Sequence, residues 1–247
     1  MMMKNRLRQN EVDCLNKVKN SFIYFKGIKK EFDNSDHLTM ESILNSAHQN
    51  ESHNDFPDFF FGGGIIEHFG VTASDETRKG SQYKIDDAYC QREKDKHFKQ
   101  LDKEFIESPH HPGTMRTKMV EDTHKCFSYE SFIKSFKRNV EHHLDSLKKS
   151  KYVNEVVVFL IEQQGASLGV YTNNIFNRFY MLSEDRNILE YIKETLTDVD
   201  YIIFIATNRY EVIDLSKIDV LIRRAKTGLD IRGGRQKDVS LKLYIDI

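Results

Sequence analysis

The sequence predicts an α/β protein with a central mixed sheet flanked by helices, and three patterns carry this prediction. Two continuous apolar runs, 154–161 and 200–206, are typical of strands buried on both faces. Residues 185–195 between them have helical periodicity, so the three segments predict a strand, helix, strand unit. Aromatic and β-branched residues on both sides of three glycines in 56–72 predict an antiparallel hairpin. The alternating segment 239–247 is expected to form an edge strand.

Apolar residues at helical spacing predict helices outside these strands. Residues 12–28 and 129–149 each place apolar side chains on one face at intervals of three or four. A shorter helix is expected at 39–47, with Thr39 as its N-cap. Residues 84–105 are dense in charge and predict a helix exposed to solvent.

Length and composition indicate a single folded domain. Of the 247 residues, 39% are hydrophobic, 30% are charged and only three are proline, which describes a globular protein and excludes a disordered one. We expect a helical region at 1–50 followed by the core at 51–247. The net charge of −1 gives no general attraction to nucleic acid or to anionic membranes, so any site for a polyanion must be local.

Cysteine usage and the start of the chain predict a soluble cytoplasmic protein. Cys14, Cys90 and Cys126 are few, widely spaced and odd in number, unlike a disulfide framework or a zinc knuckle. The basic segment 1–8 is followed by polar and acidic residues, so no signal peptide is expected. No stretch reaches the roughly 18 apolar residues that span a bilayer, and no membrane partner is predicted.

Two carboxylates of the predicted hairpin, Asp58 and Glu67, face each other across its turn by residue count. Because side chains alternate along a strand, Glu67 shares a face with Ile65 and Phe69. Burying carboxylates among such apolar residues is costly unless a cation or hydrogen-bond donors compensate. Oxygen ligands suit Mg²⁺ or Mn²⁺, so the hairpin predicts a metal site at Asp58 and Glu67.

The same hairpin carries a pattern known from a nuclease family. Pro57-Asp58, eight intervening residues and then Glu67-His68-Phe69 resemble the Pro-Asp…(Asp/Glu)-x-Lys hairpin of the restriction-endonuclease-like nuclease superfamily. The order helix, hairpin, helix, buried strand is similar to that family's core. The resemblance implies a restriction-endonuclease-like core with an N-terminal helical extension. It also implies an Mg²⁺- or Mn²⁺-dependent endonuclease that hydrolyses DNA in restriction or antiviral defence, as a homodimer or within a larger complex.

One position departs from the family pattern, because the family's lysine falls on Phe69. A phenyl ring cannot contact a nucleophilic water or a phosphate, so the resemblance needs a cation from elsewhere. Lys79 is the nearest substitute and Lys84 the next, since only the position of the ammonium group matters. Lys79 is therefore expected to stabilise the phosphate or the hydroxide.

A competing arrangement uses the end of the first buried strand. Glu162 and Gln164 follow the apolar run 154–161, and the ends of such strands are common places for ligands in α/β folds. As an acidic-x-Gln variant of the motif, these two residues would complete the site with Asp58. Glu162 is then a third candidate metal ligand.

Basic residues cluster near the end of the chain, where residues 223–242 contain seven basic and two acidic side chains. Such a cluster can contact phosphates, although a solvated surface explains the same pattern. Contacts with nucleic acid are assigned here to Arg223, Arg224, Arg232 and Arg235, together with Arg78 and Lys84 beside the hairpin.

Histidine pairs give no zinc prediction. His142 and His143 are adjacent and point in different directions on a helix, and His124 with Cys126 lacks a second ligand pair. Solvated or hydrogen-bonded histidines are expected at these positions.

Other functions stay open on the same residues. Phe69 also favours a non-catalytic module of a defence complex that binds nucleic acid or a partner protein on the same fold. A structural subunit of a larger assembly is a third alternative, for which the signature is an exposed apolar patch. A turn-capping Asp58 and a solvent-facing Glu67 would leave the hairpin without chemistry.

Overall fold

The computed structural model describes residues 2–24, 34–51, 56–74, 76–77, 80–81, 88–89, 92, 95–100, 102–104, 115–123, 127–152, 154–165, 167–206, 209–233 and 237–245. The helices are α1 (Met2–Tyr24), α2 (Asn34–Ser46), α3 (Tyr129–Lys149), α4 (Arg186–Thr195) and α5 (Ile218–Arg224). The first six strands are β1 (His48–Gln49), β2 (Phe59–Phe61), β3 (Gly64–Thr72), β4 (Glu76–Thr77), β5 (Gly80–Ser81) and β6 (Met115–Thr123). The others are β7 (Val156–Gln164), β8 (Leu168–Thr172), β9 (Ile175–Phe179), β10 (Tyr201–Ala206), β11 (Arg209–Asp214), β12 (Asp230–Gly233) and β13 (Lys237–Ile245).

A six-stranded mixed sheet in the order β1-β2-β3-β7-β10-β11 forms the centre of the fold. The middle strands β3, β7 and β10 are parallel, whereas β1, β2 and β11 pair antiparallel with their neighbours. Smaller sheets are β12-β8-β9, β13-β6 and β4-β5. The predicted α/β fold with a central mixed sheet flanked by helices is confirmed.

The central sheet carries a hydrophobic core on each face. On the face we call the α3 face, α3 and α4 pack against alternate strand residues, among them Ile65, Phe69, Val157, Phe159, Ile161 and Phe204. On the α1 face, α1 and α2 pack against the intervening residues Phe59, Ile66, Val158, Leu160 and Ile203. Consecutive residues of β3 and β7 therefore face different helices, which decides where each polar side chain of these strands lies.

The predicted helix at 129–149 is confirmed at both ends. Its N-cap, Ser128, accepts a hydrogen bond from the backbone N–H of Ser131, and the apolar stripe from Phe132 to Leu147 is buried. The prediction that Thr39 caps α2 is wrong, because the helix already begins at Asn34.

The predicted end of the first buried strand is also wrong. Glu162 and Gln164 do not follow the strand but lie within β7, which runs to Gln164. Parallel pairing with β3 continues to the pair Thr72 and Gln164, so the neighbouring strand holds the backbone extended past the apolar run.

Three smaller expectations meet the structure only in part. Residues 95–100 and 102–104 of the charged segment are helical, and several of the residues around them lie outside the described part of the chain. The C-terminal strand β13 pairs with β6 in a separate two-stranded sheet. Among the described residues, no helix has the length and apolar character that crossing a membrane requires.

Candidate metal centre

The centre begins where the short strand β2 meets β3. Gly62 and Gly63 form the turn, and Gly63 has the positive φ of 97° that glycine adopts readily. The register pairs Phe59 with Ile66, which places Asp58 directly opposite Glu67. The predicted juxtaposition of these two carboxylates across the turn is therefore present.

The two carboxylates are held by reciprocal hydrogen bonds to the opposite strand. Oδ2 of Asp58 accepts from the backbone N–H of His68 at 2.8 Å, and the backbone N–H of Asp58 donates to Oε2 of Glu67 at 3.2 Å. The two side chains thus extend the hydrogen-bond ladder between β2 and β3 to the residue that precedes β2. This fixes both carboxylates at a defined place beside the β3 backbone.

An imidazole from α3 completes this cluster. Nδ1 of His143 lies 2.6 Å from Oε1 of Glu67. The ring of Phe69 stacks on the His143 ring, with 4.4 Å between centroids and 10° between planes. Phe69 is only 4% exposed, so the residue where the nuclease resemblance would require a lysine is a core side chain that packs on His143.

Burial shifts the protonation of all three groups toward their neutral forms. It raises the pKa of Glu67 to about 8. Burial also raises the pKa of Asp58 to about 6, with a further contribution from the neighbouring Glu67. Burial lowers the pKa of His143 to about 4. A divalent cation would offset the charge that burial penalises, so the cluster favours either protons or a metal ion.

Glu162 and Gln164 lie on the other side of the sheet. They follow Val158 and Leu160 along β7 at intervals of two residues and therefore share the α1 face with them. Oε1 of Glu162 lies 3.5 Å from Nζ of Lys17, and Oε2 lies 3.8 Å from Nε2 of His68. The structure thus separates the two arrangements predicted from the sequence, because Glu67 and Glu162 face different helices.

A second group of ligand-type side chains occurs on this α1 face. The thiol of Cys14, the imidazole of His68 and the carboxylate of Glu162 place ligand atoms within 4.8 Å of one another. They come from three different elements, α1, β3 and β7. Among the described residues, these three are the ones that bring three such ligand atoms this close together.

The predicted cationic residues are distributed over the molecule. Arg223 and Arg224 are exposed in the last turn of α5. Arg232 is already engaged, because its guanidinium contacts Asp230 at 2.6 Å and Oδ1 of Asn174 at 2.8 Å. The positions that lie outside the described residues are Arg78, Lys79, Lys84 and Arg235.

Four residues of the two clusters were missed by the sequence reasoning as functional candidates. They are Cys14, Lys17, His68 and His143. A usable signal existed for two of them. His143 falls beside Leu144 and three residues after Val140, on the buried stripe of α3, and Cys14 falls four residues before the buried Val18. The contacts of Lys17 and His68 depend on how α1 docks, which no local pattern encodes.

Comparison with known proteins adds no relative. No family model, curated protein or solved structure matches this chain. Functional assignment therefore depends on the residues and their geometry.

Proposed function

We propose that this protein is a metal-dependent endonuclease that cleaves DNA, with Asp58 and Glu67 as the ligands of Mg²⁺ or Mn²⁺. The observation that carries the proposal is the pair of desolvated carboxylates held side by side next to β3. Both pKa values lie above their usual range, chiefly because of burial. Such perturbed, paired acids are characteristic of functional sites.

The donor set fits a hard divalent cation. Carboxylate oxygens are the ligands that Mg²⁺ prefers. Oδ2 of Asp58 and both oxygens of Glu67 have hydrogen-bond partners, and each carboxylate oxygen keeps a second lone pair for a metal. Glu67 is held by two contacts, so its orientation is set before any ion binds.

A bound divalent ion would polarise the scissile phosphate and lower the pKa of an attacking water. The protein's own contribution is to position the ligands. His143 forms a hydrogen bond with Oε1 of Glu67. Phe69 packs against the imidazole and excludes water from that side of the cluster. With its pKa lowered by burial, His143 is neutral at pH 7, so Nδ1 can donate a hydrogen bond to an ionised Glu67 or accept one from a protonated Glu67, depending on the tautomer.

The choice of DNA as substrate is supported by the resemblance and by the element order. Helix α2, the hairpin of β2 and β3, helix α3 and the parallel strand β7 occur along the chain in the order that the nuclease resemblance implies, with β4, β5 and β6 between β3 and α3. The setting in restriction or antiviral defence follows from the same resemblance, as does a homodimer or a larger complex. A cytoplasmic location agrees with the cysteine usage.

The test is a cleavage assay with plasmid DNA and Mg²⁺ or Mn²⁺. The parent protein should cleave, and a chelator should stop it. Asp58→Asn should lower the rate by more than about 100-fold, since even outer ligand-supporting groups are worth 10- to 100-fold. The matched control is Asp145→Asn, an exposed carboxylate on α3 that should leave the rate unchanged. Equal rates for parent and Asp58→Asn would overturn the assignment.

A second candidate, a non-catalytic module that binds single-stranded nucleic acid, is favoured by an exposed aromatic surface. Ile175, Phe176 and Phe179 of β9 are 71%, 45% and 42% exposed, and the guanidinium of Arg209 lies 4.6 Å from the Phe179 ring centroid. Aromatic rings beside arginine form stacking platforms for bases. This function predicts oligonucleotide binding without metal that survives Asp58→Asn and falls with Phe176→Ser. Binding that needs Asp58 and a metal ion would contradict it.

A further inference from the structure

We infer that Cys14, His68 and Glu162 form a second metal site on the α1 face, and that this site takes Zn²⁺. It is separate from the carboxylate cluster of the proposed function, because Glu67 and His68 are consecutive residues of β3 and point to opposite faces.

The first support is an imidazole nitrogen without a hydrogen bond. Nε2 of His68 is buried and has no hydrogen-bond partner among the described residues. The His68 side chain is 7% exposed, and Oε2 of Glu162 lies 3.8 Å from Nε2, within ion-pair distance but too far for a hydrogen bond. Buried polar atoms are almost always paired, so an orphaned nitrogen aimed at a thiol and a carboxylate needs an explanation. A shared metal ion supplies one.

The second support is the spacing of the three ligand atoms. They lie within 4.8 Å of one another. In a tetrahedral zinc site with bonds of about 2.0–2.3 Å, ligand atoms lie roughly 3.5 Å apart. The separation of 3.8 Å between His68 and Glu162 is already close to this value. Because no pair is more than 4.8 Å apart, bringing Cys14 to the same spacing needs a movement on the order of 1 Å at most.

The types of ligand atom in this group indicate which metal ion it binds. One sulfur, one nitrogen and one oxygen suit a borderline ion such as Zn²⁺, whereas Mg²⁺ and Ca²⁺ select oxygen ligands only. Binding replaces the proton of the Cys14 thiol, which is released to solvent. Three protein ligands leave a fourth position for water, and the ion would join α1 to β3 and β7.

Lys17 lowers the affinity of this site for a metal ion, because its ammonium group competes for Glu162. Its ammonium lies 3.5 Å from Oε1 of Glu162 and its side chain is 64% exposed, so it can swing into solvent when an ion takes its place. Removing the competing charge with Lys17→Gln should raise the affinity for Zn²⁺ by about 3- to 10-fold.

Cobalt gives the direct test, because Co²⁺ replaces Zn²⁺ and reports a thiolate ligand by a charge-transfer absorption in the near ultraviolet. Titrating the reduced protein should produce this band at one equivalent per chain, and added Zn²⁺ should remove it. Cys14→Ser should abolish the band, and His68→Gln should weaken binding at least 10-fold. Asp58→Asn should retain the band, because it alters the other cluster.

The remaining cysteines provide the matched control. The double variant Cys90→Ser and Cys126→Ser leaves Cys14 as the one thiol of the chain and should give the full band. If Cys14→Ser fails to fold, the double variant still tests whether the Cys14 thiol binds the metal. A parent protein without the band, or a double variant that loses it, would overturn the zinc site.

Discussion

The two faces of β3 place chemically different clusters within one residue of each other. On the α3 face, burial raises the pKa values of Asp58 and Glu67. On the α1 face, burial alone would raise the pKa of Glu162, but His68 and Lys17 hold it below its usual range. Burial penalises the charged form on both faces, so the neighbouring side chains decide the protonation state of each carboxylate. Paired acids favour the protonated form or a hard cation, whereas an acid beside basic groups stays ionised.

The largest expected effect tests the packing behind the α3 face. Phe69→Ala should lower the free energy of unfolding by about 3–5 kcal/mol, because it removes a buried ring that packs on His143 and edge-on against Phe159. Urea denaturation measures this. The matched control is Phe176→Ala, at a 45% exposed ring, which should cost about 0.5 kcal/mol or less. Similar losses in both variants would show that Phe69 is not a core residue.

The second-largest expected effect is on Mn²⁺ affinity and concerns His143, with the adjacent His142 as control. His143→Ala removes the partner of Oε1 of Glu67 and should weaken Mn²⁺ binding by about 10- to 100-fold. His142→Ala is the matched control, because that side chain is exposed and the affinity should stay the same. A role for His143 in holding Glu67 is ruled out if the two variants bind Mn²⁺ equally well.

The smallest effect is a pH dependence carried by Glu67. Its pKa is raised from 4.5 to about 8 in the folded chain, so its stabilising contribution is complete below pH 4.5 and is lost as the pH rises through 8. From pH 6.5 to 8 the metal-free protein should lose about 2 kcal/mol at most from this group. His143 does not obscure this window, because its lowered pKa makes stability rise with pH only below 6.5.

Chemical denaturation at several pH values, in parent and Glu67→Gln, measures this contribution. The difference between the two proteins isolates Glu67, because the buried Glu211, whose pKa is also raised by burial, is present in both. Saturating Mn²⁺ should remove the loss in the parent. A parent and variant with parallel pH profiles would contradict the raised pKa.

Long, continuous patterns explain which parts of the fold were predictable. Helix α3 follows from helical periodicity, and strands β7 and β10 follow from continuous apolar runs. Asp58 opposite Glu67 follows from counting across the glycine turn. The end of β7 was missed because its last residues are polar and are held by pairing with β3. Such pairing is a tertiary property.

The site was only half predictable for the same reason. Both hairpin carboxylates lie close in sequence, so local geometry brings them together. His143 and Cys14 arrive on helices that are distant in sequence from the strands they contact. Helical spacing was a usable signal that each lies on a buried stripe, but the strand residue opposite them depends on how the helices pack.

Calorimetry with Mn²⁺ tests the central claim most directly. The parent should bind one Mn²⁺ per chain at the carboxylate cluster, Asp58→Asn should lose that heat, and Cys14→Ser should keep it, because Cys14 lies on the opposite face of β3. The contradicting result is Mn²⁺ binding that is the same in parent and Asp58→Asn, or absent from the parent altogether.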